Sequence, residues 1–527
     1  MPGTFDSDTR DARTVSPSPA HVHFLPTRRQ VAFLAILFLL LLCLMPPEGV
    51  LTDNEEDYFT LAERFFTGAP APPDSALFDS SPHRALNEIL LGGLVVAMGH
   101  ERAQIVARLV LAAAFAILLY AAFDLFGLSP VDGAIVLAVF GLLGQQIMGG
   151  EWLFSGYEAK VAAYAFVLAG LVAAVARPWP WAHVPLFVVA TYFHFLVGVF
   201  WFHAALLWRV IDDRRALKSA LITATWFWLA VSPLVGVLEW KRWIVDAAMP
   251  MPSAPLSSDY IYSILRAPWH AAPFVNRDSF LTSWLSGFVL AGGMLAGALA
   301  IAGTATEPRL RATARWLVLL LAYLFAALAL SYLDRRTGIL GKFYLFRPSS
   351  LVLLIWLVTA MAWLNELAPR RPALLKLAAA ALVVPPFVAA AALHLRQGVS
   401  ARAEIASDKG KIQDFLRGAT APDAVVLVDP EIEYAFLDIE RTTGRFALVM
   451  WKFMPTNDPQ ILEWYRRMEF RRSIFQQGCG QDPPYRTDYL LTTFERGKFL
   501  ARNCGPPVLE TARFALLRHQ RAASPPG

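Results

Sequence analysis

Ten apolar runs long enough to cross a hydrocarbon layer recur along the chain, near residues 31–47, 104–126, 132–148, 159–176, 184–208, 217–238, 279–303, 313–333, 349–365 and 373–395. A helix needs about 20 such residues to span a bilayer, and an eleventh run, 86–99, reaches only about two-thirds of that length. A water-soluble fold could not wet a surface built from so many runs. The 527 residues are 56% hydrophobic and 17% charged, with a mean hydropathy of +0.44. The fold class predicted is therefore mainly α, a polytopic membrane helix bundle of about eleven helices with the lipid bilayer as its solvent.

The first run follows Arg28 and Arg29 and could pass for a signal peptide. It lacks a small-residue cleavage site and runs into Pro46-Pro47-Glu48, so it reads as the first membrane helix. Residues 1–27 carry Asp6, Asp8, Arg10 and Arg13 without an apolar period and read as a disordered cytoplasmic tail. His21 and His23 within it read as solvated side chains, with metal binding the rarer alternative.

The net charge of +5 and pI near 9.1 do not point to nucleic acid, because Lys and Arg are scattered at the ends of apolar runs and form no stripe. They read as topology signals. Arg28 and Arg29, then Arg209, Arg214, Arg215 and Lys218, then Arg309, Arg311 and Arg315, then Arg370 and Arg371 mark cytoplasmic connections. The acidic connection 48–85 falls outside. Counting eleven passes within 28–395 places residues 396–527 outside as well, and places the connection 149–158 inside.

Residues 396–527 read as a soluble extracytoplasmic α/β domain. Ala424–Val428, Arg445–Met450, Asp488–Thr493 and Pro507–Arg518 have strand character, and Ile412–Leu416 and Pro459–Phe470 have helical spacing. Cys479 and Cys504 lie in this domain and are expected to pair in an oxidising compartment, the alternative being two free thiols. Cys43 lies in the first helix.

Three clusters carry candidate chemistry. The first is Thr52-Asp53-Asn54-Glu55-Glu56-Asp57-Tyr58-Phe59, after which Tyr58, Leu61, Ala62, Phe65 and Phe66 repeat at the spacing of an amphipathic interfacial helix. Thr52 and Glu55 fit a capping box, yet capping needs one or two acids and four are present. Asp53, Glu55, Glu56 and Asp57 are the catalytic candidates. The second cluster is the break Gly149–Lys160, with Glu151, Glu158 and Lys160, which face either a cavity or one another. His194, inside an apolar run, is either a helix contact or a working group.

The third cluster, Asp334-Arg335-Arg336 followed by Lys342-Phe343-Tyr344-Leu345-Phe346-Arg347, joins cations to interfacial aromatics. Guanidinium groups grip phosphate through two donors, so Arg336, Lys342 and Arg347 suit a lipid phosphate, the alternative being cations that snorkel at a helix end. No Walker loop, zinc spacing, serine elbow or dinucleotide fingerprint occurs, so soluble nucleotide cofactors are not expected.

The layout of an acidic motif after the first helix, an interfacial helix, a second acidic loop, a central His, a late Arg and an exterior domain resembles the GT-C superfamily. Asn54-Glu55-Glu56-Asp57-Tyr58 is similar to its Asp-Glu-x-x-Tyr segment, with Asn54 in the place of the leading Asp, which leaves Asp53, Glu55 and Asp57 open as the base. The resemblance covers about 31–395. It implies a multi-pass glycosyltransferase of a bacterial inner membrane that takes a sugar from a polyprenyl phosphate and passes it to an acceptor of unspecified kind. Arg347, with Lys342 or Arg336, would then stabilise the leaving phosphate. Glu151, Glu158, Lys160 and His194 would bind substrate, and a divalent cation is left open as cofactor. The phrases Asn54–Phe59, Phe154-x-Gly156-Tyr157-Glu158-x-Lys160, Gly444-Arg445 and Trp451-Lys452-Phe453 through Glu463-Trp464-Tyr465-Arg466-Arg467 also resemble a bacterial multi-pass family of unassigned function.

The GT-C resemblance requires the connection at Glu151–Lys160 to face the first loop, against the simple count. Both hold if 86–99 does not span and 184–208 breaks near His194 into two short passes. A rival reading is a non-catalytic scaffold whose exterior domain binds a partner through Glu463, Trp464, Tyr465, Arg466 and Arg467. A transporter would call for matched repeats, and none is visible.

Overall fold

The computed structural model describes residues 27–70, 72–78, 82–176, 181–367, 373–479 and 484–519. The expectations for the tail, including His21 and His23, and for Arg370 and Arg371 lie outside the described residues.

The helices of the membrane part are α1 (Arg28–Leu44), α2 (Asp53–Thr67), α3 (Ala85–Met98), α4 (His100–Leu125), α5 (Pro130–Leu142), α6 (Ala159–Ala176), α7 (His183–Phe193), α8 (Phe195–Asp212), α9 (Leu217–Trp240), α10 (Leu285–Thr304), α11 (Pro308–Asp334), α12 (Ser349–Leu367) and α13 (Ala373–Ala419). Eight helical stretches are long and apolar enough to cross a membrane: α4, α6, α8, Arg214–Ala248, Arg277–Thr304, α11, α12 and the first part of α13. The other three runs give α1, α3 and α5, of 17, 14 and 13 residues.

The run 184–208 is two helices. His194 sits between them in extended backbone (φ −155°, ψ 104°), and the chain folds back so tightly that a Cβ on Gly198 would lie 2.3 Å from the Thr191 nitrogen. Close backbone approach of this kind admits only glycine. Helix α3 lies along α2, where a Cβ on Gly92 would lie 2.2 Å from the Ala62 carbonyl. Because α3 lies along α2, the break before α6 comes to the same end of the bundle as α2, where Asn54 meets Glu158 and Glu55 meets Tyr157. The count that put 149–158 on the opposite side is thereby corrected, because it took 86–99 as a pass; α7 and α8, running in opposite directions, restore the count for the connections that follow.

At the remote end, Lys376 pairs with Asp132 at 3.0 Å and Arg309 donates to the Leu125 carbonyl at 2.8 Å. Arg28 and Arg29 open α1, Arg209–Lys218 join α8 to α9, and Arg309–Arg315 open α11, all at that remote end.

The C-terminal unit adds β1 (Val425–Val428), α14 (Ile439–Thr443), β2 (Phe446–Ala447), α15 (Asp458–Gln477), β3 (Tyr489–Thr493), α16 (Phe494–Leu500), β4 (Pro507–Glu510) and β5 (Phe514–Arg518). The strand order is β2-β1-β3-β5-β4. Strand β1 is parallel to β2 and β3, while β5 is antiparallel to β3 and β4. All four residues of β1 are buried, as a continuous apolar run in a parallel sheet requires. The expected strand at 445–450 is shorter than its apolar run, pairing only at Phe446 and Ala447. No linker separates bundle from domain: α13 runs unbroken for 47 residues through the boundary expected at Arg396.

The domain's core is not made by the domain alone. Leu61 of α2 and Ala76 and Leu77 of the following segment pack with Ile412, Val426, Phe436, Phe453, Leu491 and Leu516. The α2 stripe expected from spacing is rotated accordingly: Phe59, Leu61 and Ala62 are buried, whereas Phe65 and Phe66 are exposed.

Candidate functional site

Helix α2 begins with the expected capping box. Thr52 Oγ1 accepts from the Glu55 nitrogen, and Glu55 Oε2 accepts from the Thr52 nitrogen at 2.9 Å. Glu55 does more than cap. It is fully buried, takes Arg108 Nε and Nη2 at 2.7 and 2.6 Å, and accepts from the Tyr157 nitrogen at 2.8 Å. A carboxylate with every oxygen occupied in this way ties α2 to α4 and to the second loop. Its place in the catalytic set is a correction, for the four acids divide by helical phase into inward and cavity-facing positions. Glu56 is likewise engaged, receiving Arg441 Nε and Nη2 of α14 at 2.6 and 3.1 Å.

Asp53 and Asp57 face open space. Asp53 is half-exposed and pairs with Lys452 at 2.9 Å. Asp57 makes no hydrogen bond or ion pair among the described residues, and burial raises its pKa against the pull of Arg84, Lys452 and Arg266.

A cavity of about 410 Å³ opens beneath the C-terminal domain, with Asp53, Asp57, Glu151, Glu158, Lys160, His194 and Arg347 in its wall. A second, of about 360 Å³, adjoins it and holds Asp57, His83, Arg84, His194, Lys342 and Arg347. Asp57, Tyr58, His194, Tyr262, Tyr344, Arg347 and Met454 line both.

Charges in the first cavity form a chain. Arg347 Nε donates to Glu151 Oε1 at 3.1 Å, Lys160 Nζ donates to Glu151 Oε2 at 2.9 Å and pairs with Glu158 at 3.3 Å, and Asn54 Nδ2 donates to Glu158. Burial works against the charge on Glu151, yet Lys160 and Arg347 outweigh it and hold the carboxyl far below its ordinary value. Glu158 goes the other way: burial raises it, and Lys160 only partly compensates. Arg347 Nη1 lies 3.1 Å from His194 Nε2, and its guanidinium stacks 4.2 Å from the Tyr344 ring centre. An arginine always donates, so His194 Nε2 accepts and its proton sits on Nδ1. The backbone break that defines α7 and α8 is what points this ring at Arg347.

Two of the three late cations do not behave as the phosphate chemistry asked. Lys342 reaches the second cavity but pairs with Asp259 and Asp458 at 2.5 and 2.7 Å, so its charge is spent. Arg336 lines neither cavity and is exposed, because Asp334 folds the turn back through the Leu340 and Gly341 nitrogens, at 2.8 and 3.0 Å, and leaves Arg336 outside it.

Several residues here gave no sequence signal of a place in the cavities. Arg84, paired with Glu88 and stacked on Tyr58, joins the second cavity beside His83. Tyr434 and Lys452 follow β1 and β2, at the carboxyl edge where parallel sheets present ligand crevices. Only the docking of the sheet over α2 carries them in. His270 and Trp269, from the connection between α9 and α10, line the first cavity as well. Burial lowers His270 to about 4.

Two of the five domain residues expected to anchor a partner are used internally. Trp464 is fully buried and donates to the Met450 carbonyl, while Arg467 holds the Pro73, Ser75 and Leu448 carbonyls. Cys479 and Cys504 form a disulfide with Cα atoms 4.9 Å apart. Among the described residues no group of three His, Cys, Asp or Glu side chains is placed to hold a metal ion, and the acids lining the first cavity are tied to Lys452, Lys160 and Arg347 or, for Asp57, stand apart. The described residues therefore do not fit a resident divalent cation.

The family model of a domain of unknown function, DUF6798, matches residues 407–470, the end of α13 through most of α15. That segment contains Tyr434, Glu440, Arg441 and Lys452, which contact α2, its following segment or the cavity. No curated protein matches the chain.

Proposed function

We propose that the protein is a membrane glycosyltransferase that moves a sugar from a polyprenyl phosphate to an acceptor on the domain's side of the membrane. The observation that carries this reading is that Asp57 and Arg347 line the same two adjoining cavities. Asp57 takes the proton of the acceptor hydroxyl as that oxygen attacks the anomeric carbon; its raised pKa brings it nearer the value a general base needs. The bond from the anomeric carbon to the phosphate oxygen breaks on the opposite side, so the centre inverts. The leaving polyprenyl phosphate is an anion, and Arg347 offers it a preorganised guanidinium held by Glu151 and His194.

The clusters Arg28–Arg29, Arg209–Lys218 and Arg309–Arg315 at the end remote from the domain support a cytoplasmic remote end and an exterior domain in a bacterial inner membrane by the positive-inside rule. The exception is the long connection with Lys241, Arg242, Arg266 and Arg277, which folds on the domain's side. The test is transfer of label from a panel of radiolabelled polyprenyl-phosphate sugars by the purified protein. Transfer that disappears in Asp57→Asn supports the reading; folded protein that moves none of them ends it.

A further inference from the structure

Arg266 closes the turn Ile261–Arg266 in the connection between α9 and α10 and lines the first cavity beside Trp269, Tyr434 and Lys452. Its guanidinium lies 5.6 Å from the Trp269 ring centre and 5.3 Å from that of Trp451. Nε donates to the Trp451 carbonyl at 2.6 Å and Nη2 to the Lys452 carbonyl at 3.4 Å. These contacts hold the side chain against the domain, and none of them carries a negative charge to match it. The neighbouring ions are matched among themselves. Asp53 pairs with Lys452, and Glu151 and Glu158 pair with Lys160 and Arg347. Asp57 and Arg266 are left in this wall, and among the described residues no ion pair engages either. Arg266 is half-buried, its Nη1 donates to no described residue, and none of its nitrogens is sealed from solvent without a partner. The Nη1 edge therefore opens on the cavity.

We propose that Arg266 binds a singly charged anionic group, a carboxylate or a phosphodiester, on the acceptor. A guanidinium presents parallel N–H groups that fit two oxygens of such a group. One unmatched cation answers one negative charge, whereas a phosphate monoester brings closer to two. A neutral acceptor would leave the cation without a counter-charge once water is displaced from the cavity, which is costly. The walls separate this anion from the donor's phosphate: Arg347 lines both cavities, whereas Arg266 lines the first of the two and is fastened to the domain. That the anion is the acceptor's rests on the glycosyltransferase reading; that Arg266 holds an anion does not.

The test uses the full-length protein in an uncharged polyoxyethylene detergent, read by saturation-transfer NMR and by the fluorescence of the tryptophans that flank Arg266. Each anionic probe is paired with a neutral counterpart: glucuronate and the methyl phosphodiester of glucose with glucose, and N-acetylserine with its amide. At least one anionic probe should bind more tightly than its counterpart. Arg266→Gln should reduce that preference about tenfold or more, and Arg266→Lys, which keeps the charge without the fork, should retain only part of it. An Arg266 that merely ties the connection to the domain predicts a lower melting temperature and an unchanged preference. No preference in the folded wild-type protein, a preference untouched by Arg266→Gln, or, should that variant not fold, one that Arg266→Lys leaves whole, overturns the proposal. Displacement of the probe by a polyprenyl phosphate puts the lipid's own phosphate on Arg266 and overturns the acceptor assignment. A preference for anions in a protein that transfers no sugar ends the transferase reading and leaves the site; sugar transfer without that preference ends the site alone.

Discussion

Arg441 holds both carboxylate oxygens of Glu56, at 2.6 and 3.1 Å, across 385 residues of sequence. With Lys452 on Asp53 and Glu440 on Arg64, it fastens α2 to the domain along most of the helix. Arg441→Ala strands the buried Glu56 charge and should destabilise the loop and domain together by about 3 kcal/mol. Hydrogen exchange would show it as lost protection at 53–67 and in β1 at once, and pairing the change with Glu56→Gln should recover most of the loss.

Asp57 and Glu55, two residues apart on α2, should separate cleanly on mutation. Asp57→Asn should reduce turnover by about 10²-fold or more with the melting temperature unchanged, the usual worth of a general base. Glu55→Gln should instead cost about 3–5 kcal/mol of stability, since Arg108 is left buried without its anion. Arg347→Ala should weaken donor binding and slow departure of the phosphate. Measuring kcat, KM and melting temperature for each distinguishes the three.

Acid should destabilise the protein through histidine. Burial, with Arg84 adding to it, lowers His83 to about 3, and burial lowers His270 to about 4. The unfolded chain protonates these rings near 6.5 and the folded chain does not, so the unfolded state binds more protons in that window and stability falls as pH drops through it. The raised Asp57 and Glu158 contribute oppositely: their share is present at low pH and is lost as pH rises from the ordinary carboxylate range through their folded values. The double change His83→Gln and His270→Gln should flatten the dependence of melting temperature on pH between about 6.5 and 4.

Cysteines introduced at Ser155 and Ala421 should label from one side of the membrane, and one at Arg214 from the other, in a background without Cys43. Labelling of Ser155→Cys and Arg214→Cys from a common side would contradict the α7–α8 hairpin.

What the sequence displayed was whatever depends on local spacing. The Thr52–Glu55 cap, the strands at 425–428 and 489–493, and a break in the overlong run near His194 could all be read from residue order. Which acid turns inward could not. Glu55 and Asp57 are two residues apart, and only the position of Arg108 on α4 makes one an internal tie and leaves the other to the cavity. Likewise Trp464 and Arg467 look like partner-binding residues until the segment 72–78 is seen to occupy Arg467. Tyr434 carried no signal, and Lys452 only its place in the phrase Trp451-Lys452-Phe453, because their cavity partners on α2 and in the second loop lie hundreds of residues away in the chain.

The hydrophobic core shared by Leu61, Leu77 and the sheet has a consequence for the order in which the molecule is made. Helix α2 leaves the ribosome more than 300 residues before β1 exists, and Arg64 waits 376 residues for Glu440. Through insertion of most of the bundle, its apolar face has no sheet to rest on, and contacts of such separation form late. The cavity gains its roof only when the C-terminal sheet is complete, so a nascent or truncated chain carries the acids and the arginine but not the enclosed space between them.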